Sequence, residues 1–465
     1  MGLRAEEAKN PLSILSQLWK NALHPDSSGK FPGRNLQIVK PEIFSYTVLA
    51  FLHPMLKRSK YDMVLLAAVL AIVAIGVVMI TSVGVPKSIE LSAPDIKYPD
   101  CADAAVDCYL VLKKHMIRVG IGLVLMLIAW KLNYRFWKKL SPVIYGLALA
   151  LLVFVLFAGT DNNTFATSWI NIDSLPFIDS LQPSEIAKFG LILYLSYFFA
   201  EKLSTEAVGT FKEGFLKFCL IAGLFVVLII LQPDIGSAFV LATIAVVIYF
   251  LAGASFRHLA IGGLIAIAFA GFTVATSDHI GERVSAFMGT TENCEESYCW
   301  QTRQANIAIG SGGFWGRGLT QGIQKSYWLP QAVDDFIFAA SAEELGFLRT
   351  AGLVLLYSVI AYRGFKIAGH APNKFSMLLA GGISTWISVQ AFVNIMVNTA
   401  LFPITGITLP FMSYGGSSMV MTLLAVGVLL NISKYTTLYA YTPDRRGNSR
   451  TRYPQHRYTR RYSYR

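Results

Sequence analysis

The sequence predicts an all-α integral membrane protein, a bundle of ten transmembrane helices with a large extracytoplasmic loop between the seventh and eighth spans. Three observations carry this expectation. Of the 465 residues, 54% are hydrophobic and only 15% are charged, whereas a soluble protein carries about 25% charged residues. The apolar residues also come in long blocks: Ser141–Gly159 and Ser237–Gly253 hold no charge, and Tyr61–Val83 holds none after Asp62. Blocks of about 20 residues match a hydrocarbon core about 30 Å thick. A lipid-exposed backbone must satisfy its own hydrogen bonds, so such spans are helices. Third, Lys and Arg gather on alternate connections, as the positive-inside bias requires.

Taken in order, the spans fall near residues 62–83, 115–130, 141–159, 184–200, 215–232, 237–253, 258–277, 337–362, 375–398 and 416–433. The fourth contains Glu185 and Lys188. The eighth begins beside Asp335 and holds Glu343, Glu344 and Arg349. Charges inside a span face protein or a water-filled cavity, so both segments are expected to be inward-looking. With both termini inside, the cytoplasmic pieces hold nine Lys and Arg in residues 1–61, four between Lys131 and Lys139, and nine from Lys434 onward. The opposite loops are acidic, with Asp95, Asp100, Asp103, Asp107, Asp161, Asp173, Glu292, Glu295 and Glu296. The net charge of +12 is therefore mostly a consequence of topology.

Three regions follow. Residues 1–60 form a cytoplasmic N-terminal region in which PLSILSQLW and EIFSYTVLAFLHPML read as interfacial amphipathic helices. No cleavable signal peptide is evident, because a short apolar core followed by a small-residue site is lacking. Residues 61–434 form the membrane domain, with its outer loop at about 277–336. Residues 435–465 form a basic disordered cytoplasmic tail. Arg alternates with Tyr in TRYPQHRYTRRYSYR, which can suggest nucleic acid. Attraction to anionic lipid explains the same pattern more simply, so no nucleic-acid partner is expected.

Five cysteines stand at 101, 108, 219, 294 and 299. Cys219 lies inside a span. The others form two close pairs on the outer side, Cys101 with Cys108 and Cys294 with Cys299. Local disulfides in an oxidising space are the economical reading. Neither pair has the further His or Cys ligands of a zinc site. The glycine-rich NIAIGSGGFWGRGLTQG superficially resembles a phosphate cradle, but no strand precedes it and no Gly-Lys-Ser/Thr follows. Its glycines are expected to allow a tight loop at the membrane surface.

Four polar constellations fall on the outer side. In LQPSEIAK, Pro183 pre-sets a helix start, so Glu185 and Lys188 share one face; a local ion pair with Lys188 reaching outward is the alternative. Arg283 precedes a WQTRQ segment with Gln301, Arg303 and Gln304, where an arginine can clamp phosphate or simply be solvated. The adjacent Asp334 and Asp335 stand before the eighth span, with Glu343 and Glu344 further along. A partly desolvated carboxylate can become a base near neutral pH, whereas an Asp at a helix start can also merely cap it. Finally, Ser413, Tyr414 and Gly415 open a polar turn in GITLPFMSYGGSS that either contacts substrate or closes a loop. No Ser–His–Asp or Cys–His arrangement accompanies them.

Together these segments resemble the FtsW/RodA/SpoVE family, the SEDS peptidoglycan glycosyltransferases, from about Tyr61 to Lys434. The resemblance rests on QPSEIAK, LQPDIGSA, RVSAF, IAIGSGGFWGRGL, LPQAVDDFIFAASAEELGF, NIMVNTALFPITGITLPF and SYGGSS, in that order. The VNTALFPITGITLPF segment is more similar to the division branch, FtsW, than to the elongation branch, RodA. The resemblance implies polymerisation of lipid II into glycan strands at the outer face of the bacterial cytoplasmic membrane, at the division septum. It places the catalytic base at Asp335, acting on the 4-hydroxyl of the acceptor sugar, with inversion and loss of undecaprenyl pyrophosphate. Substrate binding would fall to Lys188, Glu185, Arg283, Gln304, Trp169, Glu344, Ser413, Tyr414 and Gly415. A divalent cation, Mg or Mn, is implied as an aid, with no dedicated metal site. The implied partners are a class B penicillin-binding protein, a transpeptidase whose single span packs on the eighth and ninth spans, and other divisome membrane proteins. Two departures stand out. Ser168 occupies the place of an arginine before Trp169, for which Arg303 is the expected substitute. Arg349 sits where the family is usually apolar and has no explanation at this level. The competing readings are a lipid II flippase, which needs acids deep in the spans, a RodA-like elongation polymerase, and a non-catalytic division scaffold.

Overall fold

The computed structural model describes residues 61–93, 101–103, 105–159, 168–171, 180–289 and 298–436. Expectations for residues 1–60, for the tail beyond 436 and for Cys294 lie outside the described residues. The elements run α1 (Met63–Val83), α2 (Val85–Ser92), α3 (Leu110–Lys131), α4 (Tyr134–Ala158), a two-residue antiparallel pair β1 (Ile170–Asn171) and β2 (Ser180–Leu181), then α5 (Pro183–Tyr197), α6 (Thr205–Val208), α7 (Leu216–Ile230), α8 (Ile235–Ala252), α9 (Phe256–Thr276), α10 (Asp278–Met288), α11 (Tyr298–Gly312), α12 (Ile337–Gly369), α13 (Lys374–Asn398) and α14 (Gly416–Ser433). Each expected span falls on a helix. Eight helices among the described residues are long and apolar enough to cross a membrane: α1, α4, α7 with its preceding turn, α8, α9, α12, α13 and α14. The other two expected spans correspond to α3 and α5, which carry Lys113, Lys114 and Arg118, and Glu185 and Lys188. The expected outer loop contains two helices, α10 and α11, and its described residues 313–336 run in turns.

The apolar runs explain the helices and capping explains where they begin. Asp62 caps α1, its carboxylate accepting from Leu65 N–H at 3.0 Å, and Gly84 and Pro86 turn the chain from α1 into α2. Asn373 starts α13 in a capping box with Ser376. The fully buried Asp62 also receives Arg363 of α12 at 2.8 Å, while its own N–H donates to Ser433 Oγ of α14 at 3.1 Å. One end of the bundle is thereby pinned by a single carboxylate. Helices α3 and α14 approach closely because Gly122 and Gly427 carry no side chain; a Cβ at Gly427 would strike the Met126 carbonyl. Asn431 then sews the α3–α4 turn to α14, accepting from Tyr134 N–H and donating to the Trp130 carbonyl. The core centres on α13 and α14, whereas none of the described apolar side chains of α9 is fully buried.

The long α12 is broken. Gly346 adopts φ 77° and ψ 173°, a conformation that glycine reaches freely and other residues do not. At the break the helical hydrogen bonds are redirected to the chain that precedes α12. Phe347 N–H donates to the Gly313 carbonyl at 2.9 Å, and the Glu343 and Glu344 carbonyls accept from Arg317 N–H and Gly318 N–H at 2.9 and 3.0 Å. Arg349 finds its explanation here, donating to the carbonyls of Trp315 at 2.7 Å and Leu345 at 3.0 Å.

Candidate active site

At the end of the bundle away from Asp62 lies a cavity of about 570 Å³. Two loops meet at its wall, residues 330–336 leading into α12 and residues 404–415 leading into α14. Backbone acceptors in the first are taken by three side chains and one backbone N–H from around it. The Asp335 carbonyl accepts from Asn394 Nδ2 at 2.8 Å and Asn398 Nδ2 at 2.9 Å, both on α13. The Asp334 carbonyl accepts from Ser413 Oγ at 2.6 Å, and the Val333 carbonyl from Tyr414 N–H at 3.0 Å. The aspartate pair is thus held by its backbone, leaving both side chains to the cavity. Neither caps α12, whose N-cap is Phe336 with no side-chain bond.

The two carboxylates then diverge. Asp334 pairs with Lys87 of α2 at 2.5 Å. Burial pulls the Lys87 ammonium down, but the charge and hydrogen bond of Asp334 outweigh it and hold the group above its ordinary range. Asp335 lines the cavity, and among the described residues its carboxylate has no hydrogen-bond partner. Burial, then the Asp334 charge, push its pKa up to about 7, against the opposing pull of Lys87 and Arg283. A carboxyl so placed exchanges a proton near neutrality and is free to reach a ligand.

Cations surround it. Lys114 and Arg118 come from α3 and Arg283 from α10. Arg118 is buried, with its guanidinium 4.4 Å from the Tyr414 ring centre and Nη1 donating to the Tyr414 carbonyl at 3.3 Å. Arg283 lies 4.8 Å from the Tyr298 ring centre and donates to the Ile404 carbonyl at 3.4 Å. Asp234 caps α8 through Ser237 N–H and accepts from Gln182 Nε2 at 3.2 Å, bringing a further acid to the wall. Such a cavity can accept a polar ligand carrying negative charge and can remove a proton from it. Among the described residues no three His, Cys, Asp or Glu side chains converge to hold a metal ion.

Of the residues singled out from sequence, Asp335, Glu185, Arg283, Trp169, Tyr414 and Gly415 line this cavity. Four do not. Lys188 is 1% exposed, donating to Glu185 Oε1 at 2.8 Å and Gln390 Oε1 at 3.1 Å, so the local ion pair is what forms. Ser413 is buried and braces the Asp334 carbonyl. Gln304 is buried on α11. Glu344 points to the other side of α12, where it accepts from Ser82 Oγ, Lys325 Nζ at 2.7 Å and Thr320 N–H at 3.1 Å, while Glu343 accepts from Ile323 and Gln324 N–H. These two acids anchor the glycine-rich loop, and the break at Gly346 is what lets that loop fold over them. Arg303 is exposed and away from the cavity; Arg118 and Lys114, unmarked in sequence, supply positive charge instead. The Cys101–Cys108 disulfide is present, with Cα atoms 5.8 Å apart.

Residues 62–438 match the cell cycle protein family of FtsW, RodA and SpoVE. The chain is 33% identical over 387 residues to a protein of Trichlorobacter lovleyi named probable peptidoglycan glycosyltransferase FtsW, covering 83% of this chain and 96% of that one. It is 35% identical to stage V sporulation protein E of Bacillus subtilis, covering 82% and 99%. Among solved structures it resembles a chain of a peptidoglycan synthase complex that coordinates polymerization and crosslinking, at 27% identity and TM-score 0.63 over 80% of this chain and 98% of that one. It also resembles the rod shape determining protein RodA of Thermus thermophilus, at 28% identity and TM-score 0.56 over 81% and 98%.

Proposed function

The chain belongs to the FtsW/RodA/SpoVE family, and from that membership we propose that it is an inverting peptidoglycan glycosyltransferase that polymerises lipid II at the outer face of the cytoplasmic membrane. In this reading all ten expected spans cross the membrane, both termini are cytoplasmic, and the cavity faces outward. The observation that carries the reaction is the unpartnered Asp335 carboxylate in a cation-lined cavity, with a pKa of about 7.

Asp335 takes the proton from the acceptor 4-hydroxyl as that oxygen attacks the anomeric carbon of the donor. The glycosidic bond forms as the bond to undecaprenyl pyrophosphate breaks, and Arg118, Lys114 and Arg283 offset the charge that grows on the leaving group. Lys188, buried against Glu185, acts through that carboxylate rather than on substrate. No step is routed through a metal ion. The division role rests on the VNTALFPITGITLPF segment and on relatives named FtsW; the likeness to RodA favours the elongation role as the second reading. A class B penicillin-binding protein is the proposed partner, its span seated on the exposed apolar face of α12 that carries Leu355, Tyr362 and Phe365.

Purified protein supplied with lipid II, its glycan products resolved on a gel, tests the reading. Asp335→Asn is expected to lose on the order of 10²–10⁴-fold in rate, the usual contribution of a general base. Polymerisation within tenfold of wild type would refute the assignment.

A further inference from the structure

Asp334 and Asp335 are neighbours in sequence and line the same cavity, but Asp334 carries Lys87 at 2.5 Å, whereas among the described residues the Asp335 carboxylate has no hydrogen-bond or ion-pair partner. Lys87 projects from α2, a helix of VPKSIELS set between two spans, and Ser88 Oγ fixes α2 by accepting from Val111 N–H of α3 at 3.1 Å. The cation also lies 5.8 Å from the Tyr414 ring centre and 3.5 Å from Gln331 Oε1. Its side chain is 30% exposed, and these contacts hold the ammonium at Asp334.

We propose that Lys87 is a positioning residue: its ion pair occupies Asp334, so that of two adjacent carboxylates only Asp335 is left to accept a proton in the cavity. The inference rests on the reading of Asp335 as the base. Like charges a residue apart oppose one another's ionisation, so an unneutralised Asp334 would compete for the proton and hold Asp335 protonated to higher pH. Lys87 takes the Asp334 carboxylate into an ion pair and opposes the rise that Asp334 imposes on Asp335. The other charged or titratable groups around the pair are Lys114, His115 and Arg118 of α3, Glu185 of α5, Asp234 before α8, Arg283 of α10 and Tyr414.

Full-length protein in lipid nanodiscs would be treated with dicyclohexylcarbodiimide, which reacts with protonated carboxyls, and labelling at residues 334 and 335 read by mass spectrometry as pH varies. In wild type, labelling of Asp335 is expected to fall through about 7 while Asp334 stays unlabelled. Lys87→Met should raise the Asp335 midpoint by about one pH unit and expose Asp334 to labelling, and Lys87→Arg should restore the wild-type pattern. Asp334→Asn should move the Asp335 midpoint downward. A Lys87→Met midpoint equal to wild type, with Asp334 still unlabelled, overturns the proposal even if Asp335→Asn is inactive. Conversely, polymerisation by Asp335→Asn would defeat the proposed function without touching the labelling result.

Discussion

Replacing Glu344 should release the glycine-rich loop rather than weaken substrate binding. The carboxylate is 1% exposed and holds three groups: Ser82 Oγ of α1, Thr320 N–H, and Lys325 Nζ, whose side chain is 9% exposed. Glu344→Ala leaves a nearly buried ammonium without its counter-charge and two further donors without an acceptor. Breaking a buried pair from one side costs about 3–5 kcal/mol. Applied to the opening of residues 313–325, that cost raises the open population by on the order of 10²–10³-fold, at about 1.4 kcal/mol per factor of ten. Trypsin reads this directly, because Arg317 and Lys325 lie in the loop and cleavage follows the open population when opening is fast. The assay is the rate of cleavage after Lys325 in detergent-purified protein, with the exposed Glu90→Ala as a control that should match wild type. A Glu344→Ala variant cut at the wild-type rate would refute the anchoring role.

Two other perturbations separate stability from activity. Arg363→Met strips the cation from the fully buried Asp62, and is expected to cost about 3–5 kcal/mol, seen as a lower melting temperature in detergent with no change in the pH dependence of polymerisation. Asn394→Leu removes the donor to both the Asp335 and Ile407 carbonyls at 2.8 Å. The Asp335 carbonyl keeps Asn398 Nδ2 at 2.9 Å, so the Ile407 carbonyl is the acceptor left buried, at a cost of about 1–3 kcal/mol, and the loosened 334–335 backbone should lower the polymerisation rate more than the melting temperature shows.

The long apolar helices are legible because composition alone marks them, each of the ten expected blocks falling on a helix, whereas α2, α6, α10 and α11 carry no such signal. The aspartate pair, Glu185, Arg283 and the Tyr414 turn were legible because polar residues at the rim of an apolar block have few structural uses. Lys87, Arg118 and Asp234 were not. Arg118 sits amid the apolar run of α3 and Lys87 in a short connection, and only the packing of α2 and α3 against the 404–415 loop brings them to Asp335. Glu344 is misplaced by the sequence because regular helical spacing continues through Gly346 on paper, whereas α12 kinks there and the preceding loop folds over Glu343 and Glu344, donating N–H groups to their carbonyls and side chains. The signal was present in the glycines of GSGGFWGRG: a Cβ at Gly316 would meet the Glu344 carbonyl.

The pH dependence of polymerisation from lipid II bears most directly on the role of Asp335. Burial raises its pKa from an ordinary 3.8 to about 7. The protonated form therefore prevails below that value, and the form able to accept a proton prevails above it. The rate should climb roughly tenfold per pH unit below about 7 and level off above it. A rate unchanged across that interval in folded protein would contradict a base at this position.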